Sequence, residues 1–294
     1  MLKSEARVAT DPLCPCCGAR RWRSVHADIA GCAECGYQRM EPLPADVVGL
    51  YDEGYFTGQK YHDYPADKRL IQATFVDRLR ALRRWLKQPP ADLDLYEVGS
   101  AYGYFLEVAA PHFRSVRGID VAAVGATEGP GGAEGEVARG DFLEAPLPAR
   151  SVDVLCMWDT IEHLLDPWAT VAKAFEVLRP GGVFAATTGD VEAALPRLQG
   201  RKWRLYDPPF HVHYFSPHSL STLLFNAGFR VLGHETCPTV HSVDQVVHGL
   251  ATHGGETPGV LGRLCRRLDL PEFVRQLNLP LDLRDIFMIV AEKP

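Results

Sequence analysis

The sequence has no long hydrophobic run. Its longest apolar stretch is Ile286–Ala291, far shorter than the roughly 20 residues that a membrane-spanning helix requires. It also has no low-complexity tract and no repeat of solenoid length, which argues against disordered and repeat architectures. The amino terminus lacks the apolar segment of a secretory signal, so we expect a cytoplasmic protein in a reducing environment, with no membrane partner.

Basic residues are fewer than acidic ones. There are 31 Lys and Arg against 37 Asp and Glu, and the formal net charge is -6. An acidic chain is a poor candidate for binding nucleic-acid phosphates or anionic lipids, and we therefore do not expect a nucleic-acid partner. The 294 residues, of which 46% are hydrophobic, suffice for one large α/β domain and one small additional unit.

Cysteine is scarce after residue 35 and concentrated before it. The segments 14–18 and 32–36 both read C-x-x-C-G, a spacing that lets two thiolates bind one tetrahedral ion from a tight turn. We expect a structural Zn²⁺ bound by Cys14, Cys17, Cys32 and Cys35, in a unit of residues 1–42 that resembles zinc ribbons. Cys16 is left out because using it would lose the repeat. Disulfides or reduced core thiols are the alternative.

Residues 43–90 predict a covering loop followed by a helix. The loop is rich in aromatic residues and includes Tyr55. Apolar residues from Ala66 to Gln88 then recur at helical spacing until two prolines end the pattern. The same helix carries many basic residues. Beside a zinc ribbon this composition is compatible with RNA binding, although a solvated helix face is the commoner explanation.

From residue 91 onward, strands and helices alternate, which predicts a mostly parallel sheet covered by helices. We expect strands near 93–98, 115–120, 136–140, 152–158, 182–188 and 229–235, and helices near 103–112, 166–178 and 217–227. A helical insertion is expected at about 239–282. A last strand, expected to be antiparallel, follows at 285–293.

The first of these strands ends in a glycine-bearing turn, from Glu97 to Gly103. The turn does not read G-x-G-x-x-G, and no segment supplies the lysine of a phosphate-binding loop, which disfavours NAD binding and ATP hydrolysis. It reads E-x-G-x-x-x-G and resembles the first motif of class I S-adenosylmethionine-dependent methyltransferases. Those enzymes usually have glycine where this chain has Ala101.

Four later segments resemble the same family in order and spacing. They are Asp120, which lies 21 residues after Gly99, the Gly140-Asp141-Phe142 segment, the strand that ends in Glu162-His163, and the L-x-P-G-G turn at 178–182. The resemblance implies a Rossmann-like, seven-stranded, mostly parallel sheet with helices on both faces. It also implies S-adenosylmethionine binding, and the expected contact residues are Tyr55, Glu97, Gly99, Ser100, Gly103, Asp120, Val121, Asp141, Phe142 and Trp158.

Two histidines are candidates for the chemical step. His163 follows the fourth strand, and His211 lies in a segment that resembles the H-x-x-(Y/F)-F-S stretch of small-molecule methyltransferases. Methyl transfer is an in-line displacement, and either imidazole could remove the acceptor's proton as a general base. Asp159 and Glu162 are expected to lie close enough to orient one of them.

The function expected from these features is methyl transfer to a small molecule such as a sugar, a nucleotide sugar or a secondary metabolite. One alternative is an RNA methyltransferase, which the zinc ribbon and the basic helix favour. The negative charge opposes it, and so does the absence of the N-P-P-(Y/F) tetrad of base amino-group methylation. A cofactor-binding or regulatory protein without catalysis is the other alternative.

Overall fold

The computed structural model describes residues 13–51, 55–56, 63–122, 137–243, 245–246, 271, 274 and 277–294. Within these ranges, no helix combines the length and the apolar character needed to cross a membrane.

The described strands, numbered in chain order, are β1 (Trp22–His26), β2 (Ile29–Cys32), β3 (Gln38–Met40), β4 (Asp94–Val98), β5 (Ser115–Asp120), β6 (Val137–Arg139), β7 (Val152–Trp158), β8 (Leu178–Gly189), β9 (His213–Tyr214), β10 (Arg230–Thr236), β11 (Thr239–Ser242), β12 (Asn278–Leu281) and β13 (Ile286–Glu292). The α-helices are α1 (Lys68–Arg83), α2 (Tyr104–Ala109), α3 (Pro167–Val177), α4 (Ala194–Gln199) and α5 (Pro217–Asn226). Short 3₁₀ turns lie at Val48–Leu50, Pro90–Asp92, Ile161–His163 and Gly200–Lys202.

Seven of the strands form the central sheet, in the order β10-β13-β8-β7-β4-β5-β6. Neighbouring strands from β8 to β6 are parallel, whereas β13 is antiparallel to both β8 and β10. The mostly parallel sheet and its antiparallel last strand are therefore confirmed. The strand order reverses at β4, because β5 lies on one side of it and β7 on the other. Such a reversal opens a crevice at the carboxyl ends of the strands.

Both faces of the sheet are buried, and the strands divide their side chains between them. In β7, Val154 and Cys156 pack in the same cluster as residues of α1 and α2. Leu155 and Met157, which directly follow these two residues, pack in the cluster that contains residues of α3 and α5. This alternation is the period of a strand. It explains why β7 is an uninterrupted apolar run from Val154 to Trp158.

Helix α1 is shorter than the pattern over residues 66–88 predicts. It ends at Arg83, and the backbone N–H of Trp85 bonds to the carbonyl of Leu82 at 2.9 Å, a tighter turn than an α-helix makes. The Trp85 ring then lies against β10, where a Cβ added to Gly233 would be 2.8 Å from it. Packing of Trp85 on the sheet therefore competes with continuation of the helix.

The segment 239–282 was expected to be a helical insertion, but it begins and ends with strands. β11 and β12 pair antiparallel, from Thr239 opposite Leu281 to Ser242 opposite Asn278. β-Branched residues at 239 and 240 favour extended backbone, and the partner strand closes the pair. The expectation is thus corrected at both ends, while most of the interior lies outside the described residues.

The cysteine-rich unit is joined to the larger domain by a second sheet, in the order β1-β2-β3-β9. Strand β9 comes from residues 213–214 and pairs with β3 through Arg39 opposite His213. The side-chain amide of Asn226 also donates to the carbonyl of Cys16 at 2.8 Å. The domain boundary expected at residue 42 therefore lies between β3 and β9 in the sequence, although these two strands belong to the same sheet.

Candidate functional site

A cavity of about 650 Å³ lies at the carboxyl ends of β4, β5 and β7, where the strand order reverses. Part of its wall comes from the residues that follow these strands, and another part comes from α1 and β11. The backbone N–H of Val240 donates to the Thr74 hydroxyl at 2.9 Å and ties β11 to α1. A cavity of this size suits a cofactor and a small molecule.

The turn after β4 brings bare backbone to the cavity. Gly99 has a φ of +78° and Ala101 a φ of +44°, both in the left-handed region that favours glycine. A Cβ added to Gly99 would lie 2.3 Å from the Thr160 hydroxyl oxygen, so a glycine is required there. Ala101 adopts the same region as an alanine, which costs about 1 kcal/mol.

Two carboxyl groups face this turn, one of them buried and the other half-buried. Glu97 is 1% exposed, and its Oε2 has no hydrogen-bond partner among the described residues. Burial raises the pKa of Glu97 well above its ordinary value. Asp120, at the end of β5, accepts hydrogen bonds from the backbone N–H groups of Ala101 at 2.7 Å and Ala122 at 2.8 Å. Burial also raises the pKa of Asp120.

Nearly all the residues expected to bind S-adenosylmethionine line the cavity: Tyr55, Glu97, Gly99, Ser100, Asp120, Val121, Asp141, Phe142 and Trp158. Gly103 does not line it. It lies at the amino terminus of α2 with a φ of +71°, so this glycine allows the backbone turn and does not contact the cavity. Within the described part of the chain, Glu97 Oε2 and Ser100 Oγ have no hydrogen-bond partner, and a ligand with amino and hydroxyl groups could satisfy them. The site fits the cofactor in that respect.

Asp159 is paired with an arginine that sequence reasoning placed among the basic residues of the helix. Arg78 is 2% exposed and donates through Nη2 to Asp159 Oδ2 at 2.7 Å, while the Thr187 hydroxyl donates to Oδ1 at 2.8 Å. Partial burial raises the pKa of Asp159, but the charge and the hydrogen bond of Arg78 have the larger combined effect, and its pKa is lowered from the ordinary value. The available signal was that Arg78 falls on the apolar face of α1, between Phe75 and Leu82.

The two candidate histidines lie together, with ring centroids 4.7 Å apart. The Nδ1 atom of His163 lies 2.8 Å from the Phe210 carbonyl oxygen and 2.8 Å from the Tyr51 hydroxyl. The Nδ1 atom of His211 lies 2.9 Å from the Leu205 carbonyl oxygen. His163 lines the cavity and His211 does not. Tyr51 was not among the expected site residues, and its sequence signal was only its place in an aromatic loop.

Glu162 completes this group. A donor atom from each of Glu162, His163 and His211 lies within 4.8 Å of the others. Glu162 is 4% exposed, and burial, reinforced by the charge of Asp159, raises its pKa to about 8. The sequence placed it beside His163 but did not show that it would be buried.

The four cysteines of the two C-x-x-C-G segments converge. Their Sγ atoms lie within 4.8 Å of one another, with 3.6 Å between Cys14 and Cys35 and 3.6 Å between Cys17 and Cys32. Tetrahedral coordination with metal–sulfur bonds of about 2.3 Å would place the sulfurs about 3.8 Å apart. The cluster is therefore compatible with a zinc ribbon.

Comparison with known proteins agrees with this geometry. Residues 68–234 match the family model described as a methyltransferase domain. The chain belongs to the class I S-adenosylmethionine-dependent methyltransferases. It is 35% identical over 170 residues to a probable S-adenosylmethionine-dependent methyltransferase of Mycolicibacterium smegmatis, covering 56% of this chain and 62% of that protein. A protein of the same description in Mycobacterium tuberculosis is 31% identical over 170 residues, covering 55% of this chain and 57% of that protein.

The chain spans less than two thirds of the length of the curated relatives that it matches. Solved structures share its fold at low identity. A chain of the complex between the Haloferax volcanii Trm112 methyltransferase activator and a methyltransferase has a TM-score of 0.54 at 16% identity, covering 78% of this chain and 94% of that chain. A structure described as a methyltransferase of Bacillus halodurans has a TM-score of 0.52 at 15% identity, covering 74% and 98%.

Proposed function

We propose that the protein transfers the methyl group of S-adenosylmethionine to a small-molecule acceptor, of the class of sugars, nucleotide sugars or secondary metabolites. The observation that carries the proposal is that one cavity contains both the cofactor motifs and His163, with α1 and β11 in its wall. The aromatic rings of Tyr55, Phe56 and Tyr64 also line it. A concave, partly aromatic cavity of this size favours a small acceptor over a macromolecule.

The residues that would hold the cofactor lie at the ends of the strands. As the family resemblance implies, the Asp120 carboxylate would bind the ribose hydroxyls, and Asp141 with the Phe142 ring would bind the adenine. Glu97 and Ser100 present buried polar atoms to the same ligand. When bound, S-adenosylmethionine would supply an electrophilic methyl carbon, which the acceptor atom attacks in line while the carbon–sulfur bond breaks and S-adenosylhomocysteine leaves.

His163 is the proposed general base. With its Nδ1–H donated to the Phe210 carbonyl, the neutral imidazole carries its lone pair on Nε2, which can take the proton of an acceptor hydroxyl. His163 is preferred over His211 because it lines the cavity. Asp159 supports the site by a different route from the one expected, since it pairs with Arg78.

We further propose that Cys14, Cys17, Cys32 and Cys35 bind a structural Zn²⁺. Four thiolates complete a tetrahedron and leave no position for a substrate. The cluster lies among buried residues of the core, and the ion would stabilise a unit that has few other means of folding.

RNA methylation is less well supported. Basic side chains of the α1 region pair with acids: Lys68 with Glu107, Arg80 with Asp77, Arg84 with Glu235 and Lys87 with Glu292. Their charges are therefore largely compensated within the chain. Nucleic-acid binding depends on basic side chains that neutralise phosphates.

The test combines cofactor binding with transfer. Calorimetric titration with S-adenosylmethionine and S-adenosylhomocysteine is expected to show micromolar or tighter binding, with NAD as a negative control. Label from methyl-labelled S-adenosylmethionine should then enter a small-molecule metabolite fraction and not an RNA fraction. The His163→Gln variant should retain cofactor binding and lose transfer, whereas the exposed control His218→Gln should retain both. Labelling of RNA alone, or binding without any transfer, would overturn the proposal.

A further inference from the structure

We propose that Glu162, His163 and His211 form a binding site for a divalent transition-metal ion beside the acceptor pocket, separate from the four cysteines. The catalytic role of this ion rests on the proposed function, whereas the site itself does not. The site itself rests on geometry: two imidazoles and a buried carboxyl group offer donor atoms within 4.8 Å of one another. Two histidines and one carboxylate are a ligand set that binds Zn²⁺ and Fe²⁺ and leaves positions open.

Each histidine has one ring nitrogen that can donate to a backbone carbonyl, as metal-binding histidines usually do. A metal-binding imidazole generally donates its other ring N–H to a carbonyl or a carboxylate, which fixes the tautomer. Both Nδ1 atoms here lie at hydrogen-bond distance from backbone carbonyls, His163 from Phe210 at 2.8 Å and His211 from Leu205 at 2.9 Å. With the protons on Nδ1, each Nε2 carries the lone pair that would bind the ion.

Glu162 provides an independent observation. Its side chain is buried, and its Oε2 has no hydrogen-bond partner among the described residues. An orphaned buried carboxylate oxygen is costly, and a cation would satisfy it. The backbone links the two halves of the site, because the N–H of Val212 donates to the carbonyl of Glu162 at 2.9 Å.

Only small movements are needed to complete the site. Three atoms at most 4.8 Å apart can all lie within about 2.8 Å of one central point, and metal–nitrogen and metal–oxygen bonds are about 2.0–2.2 Å. Side-chain shifts below about 1 Å would close the difference. His163 lies on the cavity wall, so a position of the ion not filled by protein can be taken by water or by an oxygen of the acceptor.

The ion changes the role of His163. In the metal-bound protein Nε2 is a ligand, and a coordinated acceptor hydroxyl loses its proton to solvent water because the cation lowers its pKa. The general-base role proposed above then applies to the metal-free protein alone. An acceptor with an oxygen donor that can reach the ion is the substrate class that this arrangement selects.

Metal content and Co²⁺ spectra test the site without any substrate. Full-length protein loaded with Zn²⁺ and dialysed is expected to contain two equivalents per chain by mass spectrometry. Loaded with Co²⁺, it should show thiolate charge-transfer bands from the cysteine site and separate d–d bands from the second site. His211→Ala and Glu162→Gln should each lose one equivalent and the second set of bands, with the thiolate bands intact.

One variant serves as a control and another tests the outer partner of His163. His218→Ala should keep both equivalents. Tyr51→Phe removes a hydroxyl next to His163 Nδ1 and should weaken Co²⁺ binding at the second site by about tenfold, as loss of an outer partner does. The thiolate bands show whether each variant is folded. If Glu162→Gln does not fold, His163→Ala is used in its place. A wild-type protein with one equivalent and only thiolate bands overturns the site. If that protein still methylates small molecules, the proposed function stands and the metal site alone is wrong.

Discussion

The Tyr37 hydroxyl and His213 Nδ1 are hydrogen-bonded in the interior between the cysteine-rich sheet and the larger domain. Tyr37 is fully buried and His213 is 2% exposed. Tyr37 follows the second C-x-x-C-G segment directly, and His213 lies two residues after His211. The cysteine cluster is thus connected to the loop that carries a candidate functional histidine.

Tyr37→Phe is expected to destabilise the protein by about 1–3 kcal/mol, because it leaves a buried histidine nitrogen without its partner. His213→Leu removes the other partner, and the double variant should cost less than the sum of the two single changes. Urea denaturation of the four proteins measures this coupling. Strict additivity would show that the hydrogen bond contributes nothing to stability.

His213 is also expected to make stability depend on pH. Burial lowers its pKa from an ordinary value of 6.5 to about 4, so between these values the unfolded chain binds a proton that the folded protein does not. Stability is therefore complete above pH 6.5 and falls as pH drops toward 4, by about 3 kcal/mol in total. Denaturation between pH 4.5 and 7.5 should show a shallower pH dependence in His213→Leu than in the wild type. Equal slopes would contradict the assignment.

Removal of the metal proposed at the four cysteines should lower thermal stability and weaken the β3–β9 pairing. Chelator treatment, or Cys35→Ala, is expected to lower the melting temperature and to increase hydrogen exchange at residues 212–214, because structural zinc contributes directly to folding. Cys16→Ala is the matched control, because the Cys16 thiol is also buried and lies beside Cys14 and Cys35 but is not one of the four converging cysteines. It should retain the cysteine-bound zinc. Loss of that zinc in Cys16→Ala would show that the ligand set is wrong.

The pair of Arg78 and Asp159 should respond unequally to removal of either member. The Asp159 side chain is 43% exposed through the cavity, whereas the Arg78 side chain is 3% exposed. Asp159→Asn leaves a buried guanidinium without a counter-charge and should cost about 3–5 kcal/mol. Arg78→Met leaves a carboxylate that water can reach and that Thr187 still contacts, so it should cost less. Urea denaturation of both variants decides the order, and the reverse order would contradict this electrostatic account.

The turn at 99–103 offers a matched pair of substitutions. Gly99→Ala would place a Cβ against Thr160 at a φ of +78°, and we expect loss of stability together with loss of cofactor binding. Ala101→Gly relieves a left-handed alanine and should be neutral or stabilising by up to about 1 kcal/mol. Melting temperatures and calorimetric titration with S-adenosylhomocysteine measure both effects. Tolerance of Gly99→Ala would show that the turn has more room than its geometry indicates.

The amino-acid sequence alone determined the parallel sheet, the strand ends that carry Glu97 and Asp120, and the four-cysteine set. Local patterns suffice for these features, because the period of apolar residues, the turn glycines and the ligand spacing are all encoded within short segments. The antiparallel strand β13 was also predicted, as the last strand of the sheet that the family resemblance implies, and it is antiparallel to β8.

The tertiary structure alone decided the contacts between distant segments. Arg78 was assigned to a basic helix face and is instead buried against Asp159. Strand β9 joins the cysteine-rich sheet, and β11 and β12 replace part of an expected helical insertion. Tyr51 reaches His163, and Glu162 becomes buried beside two histidines. Each of these depends on long-range packing and desolvation, which no local pattern of residues records.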